Sequence, residues 1–239
     1  MNIISFSLWG NLPEYMIGAL ENIELAKEYY PIWKCRFYFD SSVDKELITK
    51  ISDAGGETVF IENVLGPWHG MFWRFLANDD PDVDAYIVRD ADSRLNVREK
   101  VAVDEWMNSD KTFHVMHDHP CHRNTAIMGG MWGCKKGIID DMGGRVERWG
   151  KYHRKGIDQS FLEADIWPLV KDNTMSHLGY CWDARKWGHF KKFPPHAELK
   201  FNGTFVGECY DEENNVKEKD RQRALNEKFK IERLESTDA

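Results

Sequence analysis

Two aspartates separated by one residue follow a short apolar run in the middle of the chain. The stretch at 85–94 reads AYIVRDADSR, so Asp90 and Asp92 come directly after residues that favour a buried strand. Side chains two residues apart in an extended turn can face the same way, and close carboxylates repel unless a cation joins them. Hard oxygen ligands suit Mg²⁺ or Mn²⁺, and such an ion can hold a diphosphate. The alternative is that the pair caps a turn or binds the flanking Arg89 and Arg94.

The predicted elements place this pair at the edge of a sheet. Apolar runs predict strands at 3–8, 35–39, 58–61 and 84–89, and helical patterns separate them, beginning at Pro13 and covering 43–54 and 68–77. The order β-α-β-α-β-α-β predicts an α/β domain with a mostly parallel sheet and helices on both faces. In such sheets ligands bind beyond the carboxyl ends of the strands, which is where the two aspartates lie.

The composition narrows the class of protein. With 239 residues, 42% hydrophobic content and 10 Trp, the chain is expected to fold as a globule. The net charge of −8 and the lack of a basic block disfavour a nucleic-acid partner. The five Cys contain no CxxC pair, so neither a disulfide framework nor a thiolate zinc site is expected. The sequence has no apolar run of about 20 residues and no signal-peptide pattern, which predicts a cytoplasmic protein without a membrane span.

Three longer motifs resemble those of a known fold family. They are RDADSRLNVRE (89–99), FHVMHDHPCHRN (113–124) and IMGGMWGCKKG (127–137). Together they resemble small GT-A glycosyltransferases of bacteria and large DNA viruses. The resemblance implies a single-domain GT-A fold and transfer of a sugar from a nucleotide diphosphate sugar to a hydroxyl of a glycan or glycoconjugate. UDP is the favoured nucleotide, and GDP stays open. The resemblance also implies that the stretch Asp90, Ala91 and Asp92 binds the diphosphate through Mn²⁺ or Mg²⁺.

A second acidic position lies in the segment GIDQSFL at 156–162. Asp158 can simply be the N-cap of a helix. The Asp158–Gln159 pair resembles one in several retaining GT-A families, where it contacts hydroxyls of the donor sugar near the reacting carbon. The resemblance therefore favours retention. An inverting enzyme would need a carboxylate base on the acceptor side, and Asp118 is the first candidate for it.

Further candidates surround the expected nucleotide site. Gly129 and Gly130 would let the backbone approach a ligand closely, although a β-bulge or tight turn explains them equally well. Arg74 suits bidentate contact with phosphate, and Trp9 is placed to border the nucleotide. Contacts to the base are expected from the backbone at 6–8, which includes Phe6 and Ser7.

The resemblance also implies a third metal ligand. GT-A metals often take a histidine from near the C-terminus, and the spacing after the Asp-Gln pair resembles retaining families best for His196, with His177 as the alternative. Four histidines at 113–124 could instead form a zinc site, but they lack zinc-site spacing, and a polar loop beside the acceptor cleft is favoured.

The predicted organisation has two parts. Residues 1–210 form the transferase domain, with 1–100 as the nucleotide-binding half and 101–210 as the acceptor and sugar half, and 211–239 form a charged helix or tail. Two other functions stay open: a metal-dependent phosphohydrolase or nucleotidyltransferase that uses the same aspartates, and a non-catalytic sugar-binding protein. An aspartyl-nucleophile phosphatase would carry its Asp pair after the first strand, which disfavours that class. The sequence does not indicate the oligomeric state.

Overall fold

The computed structural model describes residues 1–179, 189–195, 203 and 205–226. The described residues form one sheet of eight strands: β1 Asn2–Leu8, β2 Trp33–Phe39, β3 Glu57–Phe60, β4 Ala85–Arg89, β5 Phe113–His117, β6 Met131–Lys135, β7 Thr174–Leu178 and β8 His189–Lys192. Their order across the sheet is β3-β2-β1-β4-β6-β5-β7-β8. Strand β6 runs antiparallel to both β4 and β5, and the other neighbouring pairs are parallel.

Helices connect the strands. The α-helices are α1 Pro13–Tyr29, α2 Lys45–Asp53, α3 Gly70–Trp73, α4 Val97–Met107, α5 Met142–Gly150, α6 Ile157–Phe161 and α7 Trp167–Val170. Short 3₁₀ helices cover Arg74–Asp79, Pro120–Asn124 and Lys171–Asn173, a π-helical turn covers Leu162–Ile166, and 218–226 is also helical. No helix among the described residues is both long and apolar enough to cross a bilayer.

Two hydrophobic clusters cover the two faces of the sheet. On one face, Phe6 stacks on Phe37 with ring centroids 4.9 Å apart, in a cluster that also holds Trp106 of α4. The other cluster contains Phe75 and Trp132, whose ring centroids lie 5.3 Å apart. Helices therefore bury both faces of a mostly parallel sheet, and the predicted fold class is confirmed.

The sheet order decides which loops meet. Strands β1 and β4 are adjacent and parallel, with Ile4 opposite Ile87, so their carboxyl ends lie at the same edge. The segment after β1 and the aspartates after β4 therefore open towards the same side. This is the edge at which open α/β sheets bind ligands.

Candidate active site

Arg74 lies between two carboxylates at this edge. Its Nη1 forms an ion pair with Asp90 Oδ1, and its Nη2 lies 3.3 Å from Asp158 Oδ2. Nη1 also donates to the carbonyl of Arg89 at 3.3 Å. The Arg74 side chain is only 8% exposed, so one buried cation joins residues 84 positions apart in the sequence. Three of the predicted site residues are thus brought together.

Strand β1 holds Arg74 in place through its hydroxyl side chains. The Arg74 backbone N–H donates to Ser7 Oγ at 2.9 Å, and Ser5 Oγ donates to the Arg74 carbonyl at 2.6 Å. Phe6, which lies between these serines, points into the core on the opposite face because side chains alternate along a strand. Its side chain is therefore a core residue, and only its backbone can line the site.

Trp9 packs against α3. A Cβ on Gly70 would lie 2.5 Å from the Trp9 ring, and the rings of Trp9 and Trp73 meet edge to face at 6.3 Å. Glycine is required at position 70 because the indole occupies the space of a side chain. Trp9 thereby joins the end of β1 to the helix that directly precedes Arg74.

The two predicted glycines contact the carboxylates directly. A Cβ on Gly129 would lie 2.5 Å from Asp158 Oδ2 and 3.1 Å from Arg74 Nη2. A Cβ on Gly130 would overlap Asp90 Oδ2 and would lie 2.9 Å from the Asp90 backbone nitrogen. The absence of side chains here lets this segment close against the acidic pair and Arg74.

Asp158 is buried in the first turn of α6. The N-cap of that helix is Gly156, with φ 76°, so Asp158 does not have the N-cap role that the sequence left open. Burial raises the pKa of the Asp158 carboxyl, and the neighbouring Arg74 opposes that shift. Its Oδ1 lies buried without a hydrogen-bond partner among the described residues. A ligand hydroxyl could supply that partner. Gln159 is partly buried beside it.

Asp92 faces a surplus of negative charge. Burial, followed by repulsion from Asp90, raises the pKa of its carboxyl to about 6. The nearest described cation is Lys217, with Nζ 4.0 Å from Asp92 Oδ2. Burial and the same two carboxylates also raise the pKa of the Cys209 thiol and of the Tyr15 hydroxyl.

Helix α1 supports the loop that carries Asp90, Ala91 and Asp92. A Cβ on Gly18 would overlap the carbonyl of Ala91, so helix and loop are in contact. The Asn22 amide donates to the carbonyl of Ser93 at 2.9 Å, and its Oδ1 accepts from the Leu95 N–H at 2.9 Å. Sequence reasoning missed Gly18 and Asn22, although a buried asparagine inside a helix is itself a signal that it binds backbone.

Residues near the C-terminus close the other side of the same loop. The Tyr210 N–H donates to the Asp92 carbonyl at 2.8 Å, and Ser93 forms a β-bridge with Cys209. Arg94 binds Asn214 Oδ1 through Nη2 at 2.8 Å and lies 4.7 Å from the centroid of the Tyr210 ring. The aspartate loop is therefore held from two sides.

The alternative partners for the aspartates are engaged elsewhere. Arg89 forms a buried ion pair with Glu99, with Nε 3.3 Å from Oε2, and Arg94 is held by Asn214. Neither flanking arginine neutralises Asp90 or Asp92. The arginine that reaches Asp90 comes from a distant segment.

The two aspartates fit a divalent cation as a partial ligand set. Among the described residues, no three His, Cys, Asp or Glu side chains form a group that could hold a metal ion. Asp90 and Asp92 would supply two carboxylates, and Mg²⁺ or Mn²⁺ can complete its shell with water and phosphate oxygens. The unneutralised charge at Asp92 is what such an ion would relieve.

The structure describes only one of the two histidines that were predicted as a third metal ligand. His196 lies outside the described residues. His177 is fully buried; its Nδ1 lies 2.8 Å from His114 Nε2, and its Nε2 lies 3.0 Å from Glu105 Oε2. Because Nε2–H donates to the carboxylate, Nδ1 accepts from His114. Both ring nitrogens are therefore used within the fold.

Asp118 is also committed to structure. Arg98 donates to both of its oxygens at 2.8 Å, and the Val206 N–H donates to Oδ2 at 2.8 Å. The carboxylate is 3% exposed. A base must reach the proton that it removes, and this carboxylate already accepts hydrogen bonds from three N–H groups.

Comparisons with known proteins find a similar fold but no similar sequence. No protein-family model matches the chain, and no curated protein matches it significantly. A glycosyltransferase involved in glycosylation of the major capsid of PBCV-1 matches 87% of this chain and 92% of its own, with TM-score 0.53 and 14% identity. The galactosyltransferase LgtC covers 75% and 74% at TM-score 0.48 and 17% identity. A mannosyltransferase of Pyrobaculum calidifontis, in complex with GDP-Man and Mn²⁺, covers 66% and 49% at TM-score 0.44 and 15% identity. At this identity, the likeness to the PBCV-1 enzyme establishes the fold.

Proposed function

We propose that this protein is a glycosyltransferase that moves a sugar from a nucleotide diphosphate sugar to a hydroxyl of a glycan or glycoconjugate. The observation that carries the proposal is the convergence of Arg74, Asp90 and Asp158 on Gly129 and Gly130 at the carboxyl edge of the sheet. The fold shared with the PBCV-1 glycosyltransferase supports the same reaction class.

Asp90 and Asp92 are the residues that would hold Mn²⁺ or Mg²⁺, with His196 as a further candidate. When bound, the ion neutralises charge on the departing diphosphate, a Lewis-acid contribution of several kcal/mol. Asn22 and Tyr210 fix the loop backbone on either side, so the two carboxylates are held before the donor arrives.

Arg74 has a second task in this proposal. Its guanidinium is paired with both Asp90 and Asp158. A guanidinium has five N–H donors, and in Arg74 one of them, on Nη1, already donates to the backbone carbonyl of Arg89. With a diphosphate present, the same cation can donate to phosphate oxygens while it stays paired with Asp158.

Asp158 and Gln159 are proposed to orient the donor sugar. The unpartnered Oδ1 of Asp158 is an acceptor for a sugar hydroxyl, and Gln159 can both donate and accept. Retention is favoured because the Asp-Gln pair resembles that of retaining families and because Asp118 is bound by Arg98. UDP is the favoured nucleotide.

A thermal-shift panel tests the proposal. UDP-, GDP- and TDP-sugars are each added with Mn²⁺ and with EDTA, because a ligand that binds only the folded state raises the melting temperature. We expect a shift with one nucleotide class that requires the metal. Metal-dependent release of UDP from the donor would then separate a transferase from a non-catalytic sugar-binding protein.

Matched variants locate the site within this panel. Asp92→Asn is expected to abolish the metal-dependent shift, whereas Asp172→Asn, an exposed aspartate after α7, should keep it. If no nucleotide sugar shifts the wild-type protein, the proposed function is wrong. A shift that survives in Asp92→Asn would instead place the metal elsewhere.

A further inference from the structure

A basic loop lies between α5 and α6, directly before Asp158. We define the basic loop as residues 151–155, which read Lys-Tyr-His-Arg-Lys, and all five are exposed. Three permanent cations and a histidine within five residues stand out in a chain of net charge −8. Within the described part of the chain, no salt bridge is formed by any of the three cations, Lys151, Arg154 and Lys155. Their positive charges are therefore exposed to solvent.

The basic loop is fixed against the helix that carries Asp158. Arg154 Nη2 donates to Ser160 Oγ at 2.7 Å, and the Ile157 N–H donates to the Arg154 carbonyl at 3.2 Å. Gly156 then takes a left-handed conformation, with φ 76°, and α6 begins. The cations are therefore a single turn away from the carboxylate that contacts Arg74.

An exposed aromatic ring accompanies the charges. Tyr152 is 52% exposed, and its ring and that of Trp149 meet edge to face, with centroids 5.8 Å apart. His153 packs against the loop at 61–69, since a Cβ on Gly66 would overlap the imidazole. A ring with an apolar face and a polar tip, set among cations, suits a sugar that carries a negative charge.

We propose that the basic loop binds an anionic group, carboxylate or phosphate, on the sugar acceptor. This inference rests on the proposed function, because it places the acceptor beside Asp158. The acceptor class is then an acidic or phosphorylated glycan. Its anionic group lies over Lys151 and Lys155 while the accepting hydroxyl points towards the site.

Binding of simple probes by the full chain tests this inference. The probes are trigalacturonate, glucose 6-phosphate and a neutral galactose trisaccharide, titrated at low salt while backbone amide signals at 151–155 are followed. We expect at least one anionic probe to bind about tenfold more tightly than the neutral sugar, with the preference falling as salt is added. The carboxylate and phosphate arms identify which anion is recognised.

Charge-reversal variants provide the control. Lys151→Glu/Lys155→Glu should lose the preference for the anionic probe, whereas Lys45→Glu/Lys171→Glu, which changes the net charge equally at exposed sites, should keep it. Both variants should keep the metal-dependent shift with the nucleotide sugar, so failure here is distinct from failure of the proposed function.

Three results would overturn the inference. Equal binding of anionic and neutral probes removes the charge argument, and equal loss in the two double variants shows that the attraction is not local. Binding to vesicles of phosphatidylglycerol without binding to either anionic sugar assigns the loop to a membrane surface instead.

Discussion

Replacing Arg74 by methionine tests the buried charge network. The Arg74 side chain is 8% exposed and contacts Asp158, at 3% exposed, and Asp90, at 44% exposed. Methionine fills similar space without charge, so water can solvate Asp90 but not Asp158. Breaking a buried pair by removing one partner costs about 3–5 kcal/mol. Since the contact with Asp158 is long at 3.3 Å, we expect the lower end, about 3 kcal/mol.

A double-mutant cycle in urea unfolding assigns that cost to one carboxylate. Asp158→Asn alone should cost about 1 kcal/mol, because the amide can still accept a hydrogen bond from Arg74. In the Arg74→Met background the same change should be neutral or stabilising, since a neutral amide is easier to bury than an unpaired carboxylate. Arg148→Met is the control, because that side chain is 58% exposed and its nitrogen lies 3.9 Å from Asp141. We expect a change within about 0.5 kcal/mol.

Two results would refute this reasoning. The first is a cost for Arg74→Met no larger than that of Arg148→Met. The second is an equal cost of Asp158→Asn in both backgrounds, which would mean that the two side chains are not coupled.

Three further predictions concern the site and the core. Gly130→Ala should weaken Mn²⁺-dependent nucleotide-sugar binding at least about tenfold in titrations, because its Cβ would displace the Asp90 carboxylate, whereas Gly143→Ala in α5 should not. Asn22→Ala should lower the free energy of unfolding by about 1–3 kcal/mol in urea, since the buried Leu95 N–H loses its partner while the Ser93 carbonyl keeps Arg94 Nη1 at 3.0 Å. Burial holds the pKa of His114 well below its ordinary value, so the unfolded chain takes up a proton that the folded chain refuses. His114 alone should contribute a fall in stability of up to about 1.4 kcal/mol per pH unit as the pH drops below 6.5, and His114→Gln should remove that contribution to the slope in urea unfolding.

Local patterns were enough to predict the strands of the first 100 residues. The apolar run at 84–89 and the observed strand Ala85–Arg89 agree within one residue, and the alternation with helices gave the sheet direction. The aromatic segment at 68–77 was predicted as one helix. It is the short α-helix Gly70–Trp73 followed by the 3₁₀ helix Arg74–Asp79, because β1 hydroxyls bind the Arg74 backbone.

The second half depends more on contacts between distant segments. Strand β7 reads TMSHL, and its serine and histidine are both buried; His177 contacts His114 of β5 and Glu105 of α4. Helix α5 was not predicted, because two adjacent glycines obscure its helical pattern. The ion pair between Arg74 and Asp158 could not be predicted from residue spacing either, because the two residues lie 84 positions apart in the sequence. The pairing of those two side chains exists only once the sheet is assembled.

The hydrogen bond from the Tyr210 N–H to the Asp92 carbonyl has a consequence for C-terminal truncation of this protein. The last described strand ends at Lys192, and a recombinant fragment cut there would retain all eight described strands. It would lack Tyr210, Asn214 and Lys217, which lie against the aspartate loop. Such a fragment would lose the contacts that hold the aspartate loop from one side, so the extent of the sheet is a poor guide to the smallest polypeptide that retains the site.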